Sequence, residues 1–210
     1  HIFLVLNISD GAATSKIISQ AETANQFPSN DNGFRLTAYD DKYADTPVIF
    51  ENASGALGTS RVISSAPVGT SSIRLIHACS SSSLGKSFIK INGEYTAEIN
   101  QALSLISGEQ LNIGSFNNTG SDGSMAGTIG QLIFIDAPLG NKEIQKIEGY
   151  LSDKWGFSLP VTHPYLSAPS TLENSENLSD VDSELWTPKE LGDDLKVWLD
   201  FSDKRTYVRE

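Results

Sequence analysis

At 210 residues, 39% apolar and 20% charged, the chain can build an ordinary core, which excludes whole-chain disorder and fits one large sandwich or one domain with a tail. Acidic residues outnumber basic ones, 26 to 15, for a formal net charge of −11. Such a surface repels phosphate backbones, and the basic residues are scattered singly, so nucleic acid is not an expected partner.

The opening run, His1-Ile2-Phe3-Leu4-Val5-Leu6-Asn7-Ile8, reads as a strand. It is far too short to cross a bilayer, and no charged region precedes it and no small-residue cleavage site follows it, so neither a membrane span nor a signal peptide is expected. A chain that begins in a strand without Met reads as an internal fragment. Further strand-like runs follow at 33–39, 47–51, 73–79, 87–92, 95–99, 110–115 and 128–136, separated by Gly, Ser, Asn and Asp clusters that favour turns. Short strands with no helices between them predict an all-β antiparallel sandwich, of jelly-roll type, in place of βαβ units. Between two of these runs, Asn92-Gly93 supplies the two positive-φ residues that a tight hairpin turn demands. The segment 117–124 is a polar loop with no core-forming residue and belongs on the surface.

One amphipathic helix is predicted over 142–155. Ile144, Ile147, Leu151 and Trp155 recur at three- and four-residue spacing and form its apolar stripe. Gly140 is a weak N-cap, Gly156 the left-handed stop, and Pro160 and Pro164 prevent a restart. Gly149 inside the helix costs roughly 1 kcal/mol against Ala, a cost that close packing on a sheet offsets. Residues 169–185, rich in Ser, Asn, Asp and Glu with no basic residue, read as an acidic linker. Beyond it, 186–191 reads as a short helical turn with Pro188 near its start, and 195–201 as a strand.

The stretch Gly127-Thr128-Ile129-Gly130-Gln131-Leu132-Ile133-Phe134-Ile135-Asp136 leads through Pro138-Leu139 into the helix. Downstream stand Tyr150-Leu151-Ser152-Asp153-Lys154-Trp155-Gly156, Leu159-Pro160 and His163-Pro164-Tyr165. Together with Phe88-Ile89-Lys90-Ile91-Asn92-Gly93-Glu94 and Leu111-Asn112-Ile113-Gly114-Ser115, these motifs resemble laminin G-like domains of the concanavalin A-like superfamily. The branch most similar is the one common in phage structural proteins and secreted bacterial proteins. The resemblance covers roughly residues 70 to 168; before that only the general strand pattern agrees. Domains of this kind begin with a Trp-Leu-Asp strand, which nothing before residue 1 supplies; the pattern stands instead at Trp198-Leu199-Asp200. The expected organisation is therefore a sandwich over 1–168, the linker over 169–185, and over 186–210 either the start of a following module or a strand that completes a sandwich, in this chain or a neighbouring copy.

The residues themselves offer little chemistry. His1, His77 and His163 show no metal-ligand spacing, and no Gly-x-Ser-x-Gly elbow, P-loop, dinucleotide fingerprint or EF-hand loop occurs. Cys79, alone and in a strand, excludes an internal disulfide and reads as a small buried hydrophobe. Glu94 and Glu98 fall on one face by strand alternation, but a solvated face explains them better than a glycoside-cleaving carboxylate pair. Asp40, Asp41 and Asp45, with Asp122 in another loop, are candidate calcium ligands, against the plainer reading of charged turns. Tyr39 and Tyr43, and Phe116 with Asn117 and Asn118, combine aromatic platforms with amides at loops and are the candidate glycan contacts.

The expectation is thus a non-catalytic adhesion or carbohydrate-binding module of a phage virion, in a tail fibre or capsid decoration, or of a secreted surface protein. It would bind surface glycans, contact neighbouring subunits, and self-associate as a homo-oligomer at a virion or extracellular surface. A purely structural virion component is the competing reading, and a glycoside hydrolase a distant third.

Overall fold

A computed structural model describes residues 1–8, 15–21, 33–38, 47–52, 61–67, 72–103, 111–114, 125–167 and 187–202. Its strands are β1 (Ile2–Ile8), β2 (Ser15–Ala21), β3 (Gly33–Ala38), β4 (Pro47–Asn52), β5 (Arg61–Pro67), β6 (Arg74–Ser81), β7 (Lys86–Ile91), β8 (Glu94–Ile99), β9 (Leu111–Ile113), β10 (Gly127–Ile135) and β11 (Leu195–Asp200). One helix, α1 (Asn141–Trp155), follows β10, and a 3-10 turn, Pro188–Asp194, precedes β11. The strands form two antiparallel sheets, one ordered β11-β10-β1-β6-β7-β8 and the other β5-β4-β3-β2-β9. This is the antiparallel jelly-roll sandwich with one helix. No described helix is long and apolar enough to cross a membrane.

The apolar run of β1 follows from its place in the middle of the six-stranded sheet, which is covered on both faces. Ile2, Leu4, Leu6 and Ile8 point between the sheets, against Phe34, Leu36, Val48, Phe50, Ile76 and Ile89. Phe3 and Val5 point the other way, where α1 lies with Leu75, Ile133 and Ile135 beneath it. A strand buried on both faces has no polar side to show, so alternation disappears from its sequence. A second apolar layer therefore sits outside the sandwich, between this sheet and the Ile144, Ile147 and Leu151 stripe of α1.

Helix α1 begins and ends as its sequence predicts. Gly140 caps it in extended conformation with no side-chain bond, and Gly156 closes it in the left-handed region at φ 72°. Trp155 lies half-buried over Gly130, where an added Cβ would come within 2.8 Å of the indole. Its Nε1 donates to Gln131 Oε1 at 3.0 Å, and Gln131 in turn donates to the Tyr150 hydroxyl at 3.3 Å. Gly149 packs differently from expectation. Its neighbour is the Tyr165 side chain of the segment after the helix, 2.6 Å from where a Cβ would stand, and not the sheet. The missing side chain admits the returning chain.

Strands β2 and β5 had no counterpart in the sequence reading. In β2 the apolar residues Ile17 and Ile18 are adjacent, and both are buried because the register with β3 slips between Lys16 and Ile18. A bulge of this kind breaks the two-residue period that reveals a strand. At the far end of the first sheet, β11 pairs with β10, Leu132 opposite Leu199 and Phe134 opposite Val197. An ion pair between Lys154 and Asp200 joins it to α1. In this structure, then, the Trp198-Leu199-Asp200 strand extends the sheet of the same chain.

Candidate functional site

The helix crosses β6 and β7 where their outward side chains turn from apolar to polar. Alternation sends Phe88 and Lys90 of β7, and His77 of β6, to that outer face, while Ile89, Ile91, Ile76 and Ala78 face the other sheet. Glu148 descends onto them from α1. It belongs to the buried side of the helix by spacing, four residues after Ile144 and three before Leu151, and its side chain is fully buried.

A buried carboxylate is costly unless it is paired and hydrogen-bonded. Glu148 Oε1 accepts from Lys90 Nζ at 2.9 Å, and Oε2 lies 3.1 Å from His163 Nε2. Tyr165 N donates to His163 Nδ1 at 3.2 Å, which leaves Nε2 as the protonated nitrogen that donates to Glu148 in neutral His163. His77 Nδ1 stands 3.7 Å from Oε1, too far for a hydrogen bond, and has no other partner among the described residues. Burial would raise the Glu148 pKa, but the His163 bond with His77 and Lys90 alongside overturns this and holds it down at about 2. On His77 burial outweighs the opposing pull of Glu148 and brings its pKa down to about 4, so the imidazole is neutral at pH 7. His77 also stacks on Phe3, with ring centroids 3.9 Å apart.

This cluster is the floor of a cleft of about 210 Å³ lined by Lys90, Gly93 and Tyr95 of the β7–β8 hairpin, Asn141, Gln145 and Glu148 of α1, and Pro160, Thr162 and His163 of the following segment. The hairpin turn has Asn92 at φ 50° and Gly93 at φ 83°, the positive pair that the sequence predicts. Gly93 is needed on a second count. A Cβ there would sit 3.2 Å from Leu159 Cδ2 and 3.4 Å from Pro160 Cδ, so the turn packs closely on the segment after the helix. Tyr95, in the same hairpin, lines the cleft and is 54% exposed. Its ring meets Phe88 edge-on at 5.2 Å, and Lys90 Nζ lies 4.8 Å from its centroid.

Tyr95 reaches the cleft because β8 is bulged. Ile89 pairs with Ala97 but Lys90 pairs with Tyr95, which leaves Thr96 as the extra residue, its hydroxyl on Ile89 O at 3.2 Å. The bulge also corrects the alternation assumed for Glu94 and Glu98. Tyr95 and Glu98 share the outer face, Glu98 opposite Phe88 and paired with Lys86 at 2.6 Å, so the two glutamates are not a same-face pair.

The residues singled out in the sequence for ligand or metal contacts, Tyr39, Tyr43, Phe116, Asn117, Asn118, Asp40, Asp41, Asp45 and Asp122, are not among those the structure describes. Among the described residues, no group of three or more His, Cys, Asp and Glu side chains is placed to hold a metal ion. Cys79 is buried in β6, and burial pushes its thiol up to about 11, where it stays protonated and inert. What the sequence reading missed is Glu148, Lys90 and Tyr95 as a group. For Glu148 a signal existed, a carboxylate on the apolar stripe of the helix; for Tyr95 the bulge concealed it.

No family model matches the sequence, and no curated protein matches it either. Among solved structures, the chain is similar to the native heptameric SAP-like pentraxin of Limulus polyphemus, with a TM-score of 0.51 and 17% identity over 70% of this chain and 68% of that one. It is also similar to a candidate carbohydrate-binding protein from Bacteroides ovatus ATCC 8483, with a TM-score of 0.44 and 11% identity over 69% of this chain and 44% of that one. The second likeness is too slight to carry weight. The first is a likeness of fold alone, an antiparallel jelly-roll sandwich.

Proposed function

We propose that the chain is a non-catalytic recognition module that binds glycans at a virion or other extracellular surface. The observation that carries this reading is the cleft beside Tyr95, where an exposed aromatic ring faces amide and hydroxyl side chains over a charge-matched floor. Aromatic platforms flanked by a few polar groups are what small-ligand sites offer. Catalysis is disfavoured at the same place. Glycoside cleavage needs two carboxyl groups, one of them protonated near neutral pH, whereas among the described residues Glu148 is the one carboxylate lining the cleft and is held ionised.

The jelly-roll likeness supports the reading at the level of fold, and the pentraxin it resembles is heptameric. A homo-oligomer suits this chain on physical grounds, because sites this small bind weakly one at a time and gain strength by multivalency. Glycan contacts by the loop residues Tyr39, Tyr43, Phe116, Asn117 and Asn118, and calcium on Asp40, Asp41, Asp45 and Asp122, remain part of the proposal. The phage or secreted-protein setting rests on the sequence resemblance alone. The test is a glycan array probed with the protein displayed multivalently, with and without calcium. Retention on a defined set of glycans is expected. Retention on none would favour the competing reading, a purely structural surface component.

A further inference from the structure

We infer that the Tyr95 cleft receives a single uncharged sugar ring, the terminal residue of a glycan, in place of an internal stretch of chain. This rests on the glycan-binding reading above and narrows it to one site and one class of ligand.

Shape gives the first reason. A cavity of about 210 Å³ is below the usual range of roughly 300–1,000 Å³ for drug-sized ligands. On one side the Gly93 turn packs against Leu159 and Pro160. A space this small takes one terminal ring with the rest of its chain in solvent, where an internal stretch of polymer needs a longer groove.

Charge gives the second. Among the described residues that line the cleft, Lys90 is the one Lys or Arg, and its partner at 2.9 Å is a fully buried carboxylate, Glu148, which also takes the His163 hydrogen bond. The floor therefore presents no net charge. A carboxylate on the sugar would meet a cation that is already neutralised and would lose its own hydration, within a chain of formal charge −11. An uncharged hydroxyl meets no such penalty.

The walls give the third. A pyranose ring has an apolar C–H face and a rim of hydroxyls that donate and accept. Tyr95 offers a flat face, and Phe88 edge-on and Lys90 beneath fix its orientation before any ligand arrives, which lowers the ordering cost of binding. In the same cleft, the amides of Asn141 and Gln145 each carry both donors and an acceptor, and Thr162 adds a hydroxyl. Beyond the mouth, Val161 is 88% exposed between the lining residues Pro160 and Thr162, an apolar rim to the opening.

The test is calorimetric titration of the whole chain with methyl glycosides of neutral hexoses and N-acetylhexosamines, their linear oligomers, and the matching uronates. A neutral monosaccharide glycoside should bind, with affinity that stops rising once a second residue is added. The uronate should bind at least about tenfold more weakly, and Tyr95→Ala and Gln145→Ala should each weaken binding about tenfold, the scale of losing one stacking or hydrogen-bonding group. Gln145→Ala should leave the thermal midpoint in place. Tyr95→Ala also uncovers Phe88; Tyr95→Leu, which keeps apolar cover without the flat ring, should lose binding with a smaller change in midpoint and so separates a folding defect from a binding one. Affinity that climbs with every added residue, or preference for the uronate, would overturn the assignment. Binding that ignores these substitutions would place the site elsewhere and leave the glycan reading standing. No binding by any probe would remove both.

Discussion

Glu148 shows how one side chain couples sequence, stability and site. It is buried because helix spacing puts it beside Ile144 and Leu151, and it is tolerated because Lys90 and His163 reach it from two other elements. Linkage then fixes the pH response. Glu148 is held at about 2 against an ordinary 4.5, so its contribution is complete above pH 4.5 and is lost as pH falls toward 2. His77, held at about 4 against 6.5, is neutral in the fold while the unfolded chain protonates; its contribution is complete above pH 6.5 and is lost down to pH 4. Both act in the same direction, at about 1.4 kcal/mol per unit of pKa difference. Denaturant melts should show stability falling by a few kcal/mol between pH 6.5 and pH 4. In Glu148→Gln the buried Lys90 loses its counter-ion, so a loss of about 3–5 kcal/mol is expected at neutral pH. Stability unchanged between pH 7 and 4 would contradict this account of the cluster.

At the scale of elements, legibility followed periodicity. The helix was readable to within a residue because its stripe, its Gly156 stop and the prolines beyond it agree. The Asn92-Gly93 hairpin was readable because only a few residue pairs accept two positive φ angles. β2 and the face assignments in β8 were not, since each carries a bulge that shifts the alternation midway. β5 was hidden for a different reason: it is an edge strand, polar in its second half and ended by Pro67, where pairing on one side suffices. β11 raises the question of which module it belongs to. It covers the β10 edge with half-buried Leu195, Val197, Trp198 and Leu199, and the 3-10 turn before it brings Leu191 against the outer layer. We propose that β11 completes this sandwich, the second of the two readings of the 186–210 segment. Its deletion should expose the β10 edge and lower the thermal midpoint by roughly 5–10 °C, for a loss of about 2–3 kcal/mol. A midpoint that stays put would assign the segment to a neighbouring module.

At the scale of the molecule, two apolar layers stack on one central sheet, the first between the sheets and the second beneath α1. The sandwich was legible from short strands and turn chemistry; the second layer was foreshadowed by the unbroken apolar run of β1 and the stripe of α1. The cleft was not legible, because its walls come from residues 90–95, 141–148 and 160–163, which only the packing of helix on sheet brings together. Along the chain, aromatic and acidic residues cluster in polar loops, which are one candidate contact zone. The packing adds a second, the polar cleft at the edge of the outer layer. Amide chemical-shift mapping of the labelled protein during titration with a neutral methyl glycoside decides between them most directly. The account predicts shifts concentrated at Gly93, Tyr95, Asn141, Gln145 and Thr162. Shifts confined to residues 39–45 and 116–122, with the cleft silent, would contradict it.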